Sequence, residues 1–521
     1  MKYQQKQTAK QSGWTPKGAK LAVAALMVST LAACANYAGI HDDKQIQAPQ
    51  ALETQKSVPA EDGHWPAADW AAQFGDAQLQ SLIEEALKSS PTIEQARARL
   101  ANAMAYTETS KAKTLPSADA SYSLKREQYS GTALVPPPYG GSWQTENQGL
   151  LSASYDLDLW GKNREAYKAS LSQLQASVAD TQVVRLELTE SVARAYNDLA
   201  RLYALRDIAA QEVAERDRVD QITQHRVTTG LDTDVERQTS EGDLSSSRAE
   251  LKRLDGEVVS TRYQLAALLG EGPDRGLTIA RPTMGPGDIV ALPDNLPADL
   301  VSRRPDIVAA RWRVDSITHE VKSAKAAFYP DINLSAAIGL DAFGFGEFLN
   351  AASRTASVGP AVHLPIFDGG ELRAQLKGRY ADFDYAVATY NQTLVTALSQ
   401  VATDLSDIRS TDSQLEDAEN AARSSRRAYD LAVVQYKAGL TNQLNVLITD
   451  VKALHADQVV ANLKMDRRDK QIALAAALGG GYVDESGSAD KAASAADAHA
   501  ASQPVATPSQ VVAATTAVQP K

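Results

Sequence analysis

The sequence predicts an α+β chain in which one plan (helix, β-hairpin, very long helix, turn, helix) is used twice. Three observations carry this. Ordered residue matches recur at a nearly constant offset. Runs of strict apolar/polar alternation stand between helical stretches. Two long stretches, 139–272 and 366–503, contain no proline.

The repeat is read residue by residue. Ser90-Pro91-Thr92-Ile93 and Ala96-Arg97-Ala98-Arg99 match Arg304-Pro305-Asp306-Ile307 and Ala310-Arg311-Trp312-Arg313 at an offset of 214, which also maps Pro116 onto Pro330. Later the offset is 209, mapping Val192-Ala193 onto Val401-Ala402, Gly230-Leu231 onto Gly439-Leu440 and Leu269-Gly270 onto Leu478-Gly479. The five-residue change falls where the chain reads as strands and loops, which tolerate length variation. The halves run 76–270 and 296–482, joined by a Pro/Gly-rich connector at 271–295.

The elements follow in order. Residues 1–20 carry Lys2, Lys6, Lys10, Lys17 and Lys20 and no acid, and an apolar run continues to Ala33. This is the layout of a secretory signal, too short for a spanning helix. It ends Leu31-Ala32-Ala33-Cys34, which resembles the lipobox of bacterial lipoproteins. The resemblance implies cleavage after residue 33 and a covalent S-diacylglycerol and N-palmitoyl lipid on Cys34. The other reading is an ordinary signal with a stray cysteine. Segment 34–75 would then be a lipid-anchored N-terminal segment. Loss of the five lysines takes the formal charge from −11 to −16.

Pro91 opens a helical stretch with apolar residues at Ile93, Ala96, Leu100 and Ala103, ending near Pro116. Strand patterning follows at about 118–161. Leu151, Ala153, Tyr155, Leu157 and Leu159 alternate with Ser152, Ser154, Asp156 and Asp158, and a weaker run holds Ala120, Tyr122 and Leu124. In the second half, at about 331–370, Ile332, Leu334, Ala336, Ile338 and Leu340 alternate with Asp331, Asn333, Ser335, Ala337 and Gly339. Val358, Pro360, Val362, Leu364 and Ile366 form the last run. The long helices carry apolar residues every three or four positions: Val184, Leu188, Val192, Ala195 and Leu199 in one, Leu394, Leu398, Val401, Leu405 and Ile408 in the other. Residues 162–226 contain no Gly or Pro. At ~1.5 Å per residue such a helix reaches roughly 100 Å. Turns are expected at 228–233 and 437–442. The Ala/Ser/Pro-rich tail 483–521 reads as disordered.

Composition closes off several functions. The charge of −11 argues against nucleic-acid binding. A single cysteine rules out an intramolecular disulfide or a cysteine-based zinc site. None of the seven histidines sits in a metal-binding spacing, and Gly344-Phe345-Gly346 lacks the third glycine of a nucleotide loop, so no enzyme, cofactor or metal is expected. No apolar run approaches the ~20 residues of a spanning helix, so a membrane is crossed only as a β-barrel. Four strands of 10–13 residues match outer-membrane strands in length but are too few to close a barrel. If they are embedded, the chain must oligomerise, with Asp156, Asp158, Asp331 and Asn333 lining a wet lumen. The pattern alone also fits a soluble β-layer with a solvated face.

A set of ordered motifs then resembles the TolC-like, NodT-type outer-membrane efflux lipoproteins over roughly residues 60–482. They are Trp70 with Phe74-Gly75-Asp76, Asp158-Leu159-Trp160-Gly161-Lys162-Asn163-Arg164, Leu296-Pro297-Ala298-Asp299-Leu300-Val301-Ser302-Arg303-Arg304-Pro305-Asp306-Ile307, Lys325-Ala326-Ala327-Phe328-Tyr329-Pro330, Pro365-Ile366-Phe367-Asp368-Gly369-Gly370 and Ala476-Ala477-Leu478-Gly479-Gly480-Gly481. The resemblance implies a homotrimer with a 12-stranded outer-membrane β-barrel and a periplasmic α-barrel. Its implied role is the exit duct of a tripartite efflux pump, fed by a periplasmic adaptor and an inner-membrane transporter of the resistance-nodulation-division or major-facilitator type. It implies that the adaptor docks on Thr229, Gly230, Leu231, Ala438, Gly439 and Leu440; read alone, these are plain hairpin turns. The family's gate carboxylates align with Asn445 and Ile448, so that acidic ring is not carried over. Asp232, Asp234, Glu236 and Asp450 are the nearby acids, read either as a ring under three-fold symmetry or as solvated surface charge. A periplasmic coiled-coil scaffold or adaptor-like lipoprotein is the alternative, and it predicts release from the membrane once the lipid is removed.

Overall fold

The computed structural model describes residues 37–54, 56–59, 63–132, 135–287 and 296–484. The expected signal 1–33, Cys34, residues 288–295 of the connector and the tail beyond 484 lie outside the described residues.

In chain order the elements are α1 (Ala77–Ser89), α2 (Pro91–Ala112), β1 (Ser117–Gln128), β2 (Trp143–Asp156), α3 (Lys162–Thr228), α4 (Asp234–Leu269), α5 (Pro273–Leu277), α6 (Leu296–Arg303), α7 (Pro305–Ala326), β3 (Asp331–Phe343), β4 (Arg354–His363), α8 (Glu371–Lys437) and α9 (Gln443–Ala477). Element lengths pair across the halves. α2 and α7 each have 22 residues, α3 and α8 each have 67, and α4 and α9 have 36 and 35. The shortening falls in the second hairpin, where β4 has 10 residues against 14 in β2.

Two expectations need correction. The alternating run 151–159 predicts the second strand of the first hairpin, whereas β2 starts at Trp143 and ends at Asp156. Its first half, Trp143 to Leu150, carries polar residues on both faces but is ordered by ladder bonds to β1 on one side and β3 on the other. Leu157 and Leu159 lie beyond the strand, because Asp158 takes φ 41° and turns the chain towards α3. The last run likewise stops at His363 rather than Ile366, ahead of Pro365. The Pro/Gly-rich connector holds α5, and Thr283 and Gly285 are pinned to Asp76 and Arg468.

The chain divides into two compact units. The first comprises residues to Gln47, Ala98–Val178 and Ala309–Gln392. Among its described residues, four strands form one antiparallel sheet in the order β1-β2-β3-β4. Ile40 packs with Val321, Phe328 and Leu376. The backbone of Asp43, Lys44 and Gln47 bonds to Asp384 and Asn391 on α8, so the segment after residue 37 lies as a strap on that helix.

The second unit comprises Ala48–Arg97, Ala179–Val308 and Thr393 onward. Its core joins Trp70, Phe74, Leu79, Leu82, Val192, Tyr196, Leu199, Leu265, Leu269 and Ile472. Asp76 caps α1 by accepting from the Gln78 N–H, and it also accepts from the Tyr196 hydroxyl and the Thr283 N–H. Burial works against its charge, but these hydrogen bonds outweigh burial and hold the carboxyl below its ordinary range. The Arg-Pro-Asp signature has a structural explanation: Arg304 pairs with Asp306 at 2.7 Å and donates to the Ala477 carbonyl at the end of α9. Gly479, at φ +94°, lies so close that a Cβ would sit 2.0 Å from the Arg303 carbonyl oxygen.

Candidate functional site

The sheet register sorts the strand residues onto two faces. Ser117 pairs with Ser154, Ser154 with Ser335 and Ser335 with Gly359, so these share a face. The same parity puts Asp119, Ser121, Ser123, Lys125, Ser152, Gln148, Asp156, Asp331, Asn333, Asp341 and Thr355 on that face, with Leu150 and Phe343 its large apolar members. The other face carries Tyr122, Leu124, Trp143, Leu151, Tyr155, Leu334, Ile338, Val358 and Val362, all exposed. Asn147 is the buried exception there, and its side chain accepts from the Tyr122 hydroxyl at 3.0 Å. An alternation of water-facing and apolar-facing residues along every strand is what a membrane sheet requires. Trp143 near one end of the apolar face and Tyr155 near the other place aromatics at both margins, and Phe367 just beyond β4 is 92% exposed.

Where strands become helices, two of the sequence motifs meet. Trp160 stacks on Tyr329 with ring centroids 4.7 Å apart and donates its indole N–H to the Pro330 carbonyl. Asp158 accepts from the N–H groups of Asn163 and Arg164 at the start of α3. Asp368 does the same for Gly370 and Leu372 at the start of α8. Both are cap carboxylates, satisfying helix N–H groups that otherwise have no partner. Asp158 is therefore not a strand residue offered to a lumen; it is a cap. Asp156, Asp331 and Asn333 do lie on the polar face, and the two aspartates border a cavity of about 340 Å³ with Lys162, His363 and Asp368.

The two turns are built alike. Gly230 and Gly439 sit at φ +74° and +73°. Leu231 N–H reaches back to the Arg226 carbonyl and Leu440 N–H to the Gln435 carbonyl, closing both long helices with the same C-terminal bond pattern. Thr233 and Glu236 form a capping box that opens α4, and Asn442 caps α9. All six expected docking residues, Thr229, Gly230, Leu231, Ala438, Gly439 and Leu440, are exposed. Leu231 and Leu440 put apolar side chains into solvent at 66% and 79% exposure.

The candidate gate acids separate into different environments. Asp232 is held by Arg226 at 2.8 Å and by the Tyr436 hydroxyl at 3.1 Å, while the Arg226 guanidinium stacks over the Tyr436 ring. The Arg226 hydrogen bond keeps the Asp232 carboxyl below its ordinary range. Glu236 is engaged in its cap, and the bond from Thr233 lowers its carboxyl likewise. Asp234 is 77% exposed and pairs with Arg237. Asn445 is exposed. Asp450 is 3% exposed, inside the unit. Asp450 and Asp232 thus point to intrachain partners rather than to a free ring. The partner of Asp450 is Arg216 on α3, whose position opposite it no local sequence pattern reveals.

Among the described residues no helix is long and apolar enough to cross a membrane, and no group of side chains is suited to a metal ion.

A family model described as outer membrane efflux protein matches residues 82–271 and 296–480. The chain is 36% identical over 366 residues to the fusaric acid resistance protein FusA of Burkholderia cepacia, covering 68% of each chain. It is 30% identical over 459 residues to the multidrug resistance outer membrane protein MdtQ of Escherichia coli O157:H7, covering 86% of this chain and 96% of that one. Among solved structures, the outer membrane protein VceC of Vibrio cholerae superposes with a TM-score of 0.74 at 33% identity over 80% of this chain and 100% of that one. The outer-membrane channel OprN gives 0.75 at 26% identity, covering 86% and 99%.

Proposed function

The chain belongs to the outer membrane efflux protein family, and from that premise we propose that three copies close one barrel and one duct through it. It is an outer-membrane efflux protein whose role is passive export. The observation that carries the trimer is the open four-stranded sheet with one wet and one apolar face. β1 and β4 each pair on one side only among the described residues, and unpaired edges are not tolerated in lipid. Because β4 runs opposite to β1, the β4 of one copy meets the β1 of the next without breaking the antiparallel alternation. Three copies give twelve strands, enough to close, with Asp156, Asp331 and Asn333 facing the lumen.

The remaining parts fit this reading. The matched element lengths support an internal duplication. The exposed turns at 229–231 and 438–440 are the docking surface for a periplasmic adaptor, which couples the duct to an inner-membrane transporter of the resistance-nodulation-division or major-facilitator type. Asp234 is the turn acid least committed to its own chain, so any ring of like charge falls first to it. Cys34 carries the lipid, a second hold on the outer membrane beside the barrel. The exported compounds are small toxic molecules of the kind named for the relatives.

Electron microscopy of the detergent-extracted full chain tests the duct. A hollow three-fold particle is expected; a solid monomer soluble without detergent would return the chain to the scaffold reading. Cys34→Ala should stay in the membrane. Bulky or charged residues at Gly230 or Gly439 should abolish efflux and leave the trimer intact.

A further inference from the structure

Between the turns and the apolar core of the second unit lies a layer of charged side chains, with Asp450 its most buried member. Arg216 on α3 is 2.8 Å from Glu212, 3.3 Å from Asp243 on α4 and 3.7 Å from Asp450 on α9. Asp450 has a side chain only 5% exposed, and its Oδ1 has no hydrogen-bond partner. Beside it, Arg426 on α8 is taken up by Glu215 and Asp457, each at 3.0 Å, and the Tyr429 ring on α8 is buried. Two guanidinium groups therefore serve five carboxylates, and Asp450 holds the poorest share. A buried carboxylate with an unmet oxygen is costly when ionised and cheap when protonated.

We propose that Asp450 is a proton-operated latch: with its proton on, α9 stays packed against α3 beneath the turns, and with its proton off, that packing loosens. This goes beyond the duct reading and stands on the packing within one chain.

The direction follows from the neighbours. Burial, helped by the charges of Glu215 and Glu212, pushes the Asp450 carboxyl up to about 7 against the opposing pull of Arg216 and Arg426. Once α9 loosens, water reaches the group and its affinity falls towards the ordinary value of 3.8. The packed arrangement binds the proton more tightly, so its advantage is full at low pH and is lost as pH rises from about 4 to about 7. Between pH 5 and 8 the ratio of packed to loosened should fall by about two orders of magnitude. Two acids at the first turn do not share this behaviour. Asp232 and Glu236 are both held below the ordinary range and stay charged throughout.

Hydrogen–deuterium exchange on the full chain in detergent tests the latch, comparing the native sequence with Asp450→Asn at each pH so that the intrinsic pH dependence of exchange cancels. The expected result is that backbone amides of 443–457 lose up to ~100-fold protection relative to the variant between pH 5 and 8, with no further loss above. Amides of 465–477 should match in both proteins at every pH. A native-to-variant ratio that stays constant across this range would overturn the proposal. Should the variant lose protection along all of α9, the native protein referenced to unstructured peptides still decides: pH-independent protection at 443–457 sinks the latch. Exchange reads helix packing whether or not the chain conducts, so failure here and failure of the duct are separate outcomes.

Discussion

Around Phe74 and Leu265 the helical unit is filled with large apolar side chains that are fully buried. Beneath the turns the same helix α3 meets α9 through Thr223 and Gln443, which share a buried hydrogen bond, and through Arg216 and Asp450. The apolar residues there, Val219, Tyr429, Ala432, Tyr436, Val446 and Ala453, are fewer and form a cluster of their own. An apolar core gains nothing from contact with water, so it stays shut. Polar contacts can be exchanged for water at small net cost. One helix pair is thus fixed in one region and separable in another.

Substitutions that test this contrast span a wide range of effect. Gly479→Ala should be the most damaging. Its Cβ would meet backbone at 2.0 Å from a position with φ +94°, so overpacking and strain add to roughly 3–5 kcal/mol, read as loss of folded protein after extraction. Phe74→Ala removes a fully buried ring and should cost about 3–4 kcal/mol in thermal or denaturant unfolding. Asp76→Ala strips a helix cap and removes the acceptor of the Tyr196 hydroxyl proton, for about 2–3 kcal/mol. Gly230→Ala, at a position where a Cβ meets nothing within 4 Å, should cost only the ~1 kcal/mol of a left-handed backbone. Thr223→Val combined with Gln443→Leu replaces both partners of a buried bond and should change stability by less than ~1 kcal/mol in either direction. If this last pair proves as costly as Phe74→Ala, the polar region is not the softer one.

Much of this was legible in the sequence because it rests on local signals. The long helices follow from apolar spacing uninterrupted by proline, and the turns from Gly230 and Gly439. β3 follows from ten residues of clean alternation. The first half of β2 was not legible, since Asn147 and Gly149 sit on its apolar face and only the ladders to β1 and β3 order it. Asp158 looked like the next member of an alternating strand; its φ of 41° and its bonds to Asn163 and Arg164 belong to a helix start, for which Gly161-Lys162 was the available cue. Asp450 was visible as an acid beyond the second turn. Its buried place beside Arg216 and Arg426, on two other helices, is set by long-range packing, which leaves no trace in local spacing.

The equal lengths of α3 and α8 constrain how such a gene can change. One residue inserted into either helix advances its turn by ~1.5 Å and swings it by about 100°. An insertion in one half alone would therefore offset Gly230 from Gly439 and turn one of them aside. Lengthening is tolerated only when both copies change together, so two segments encoded more than 200 residues apart are inherited as a single ruler.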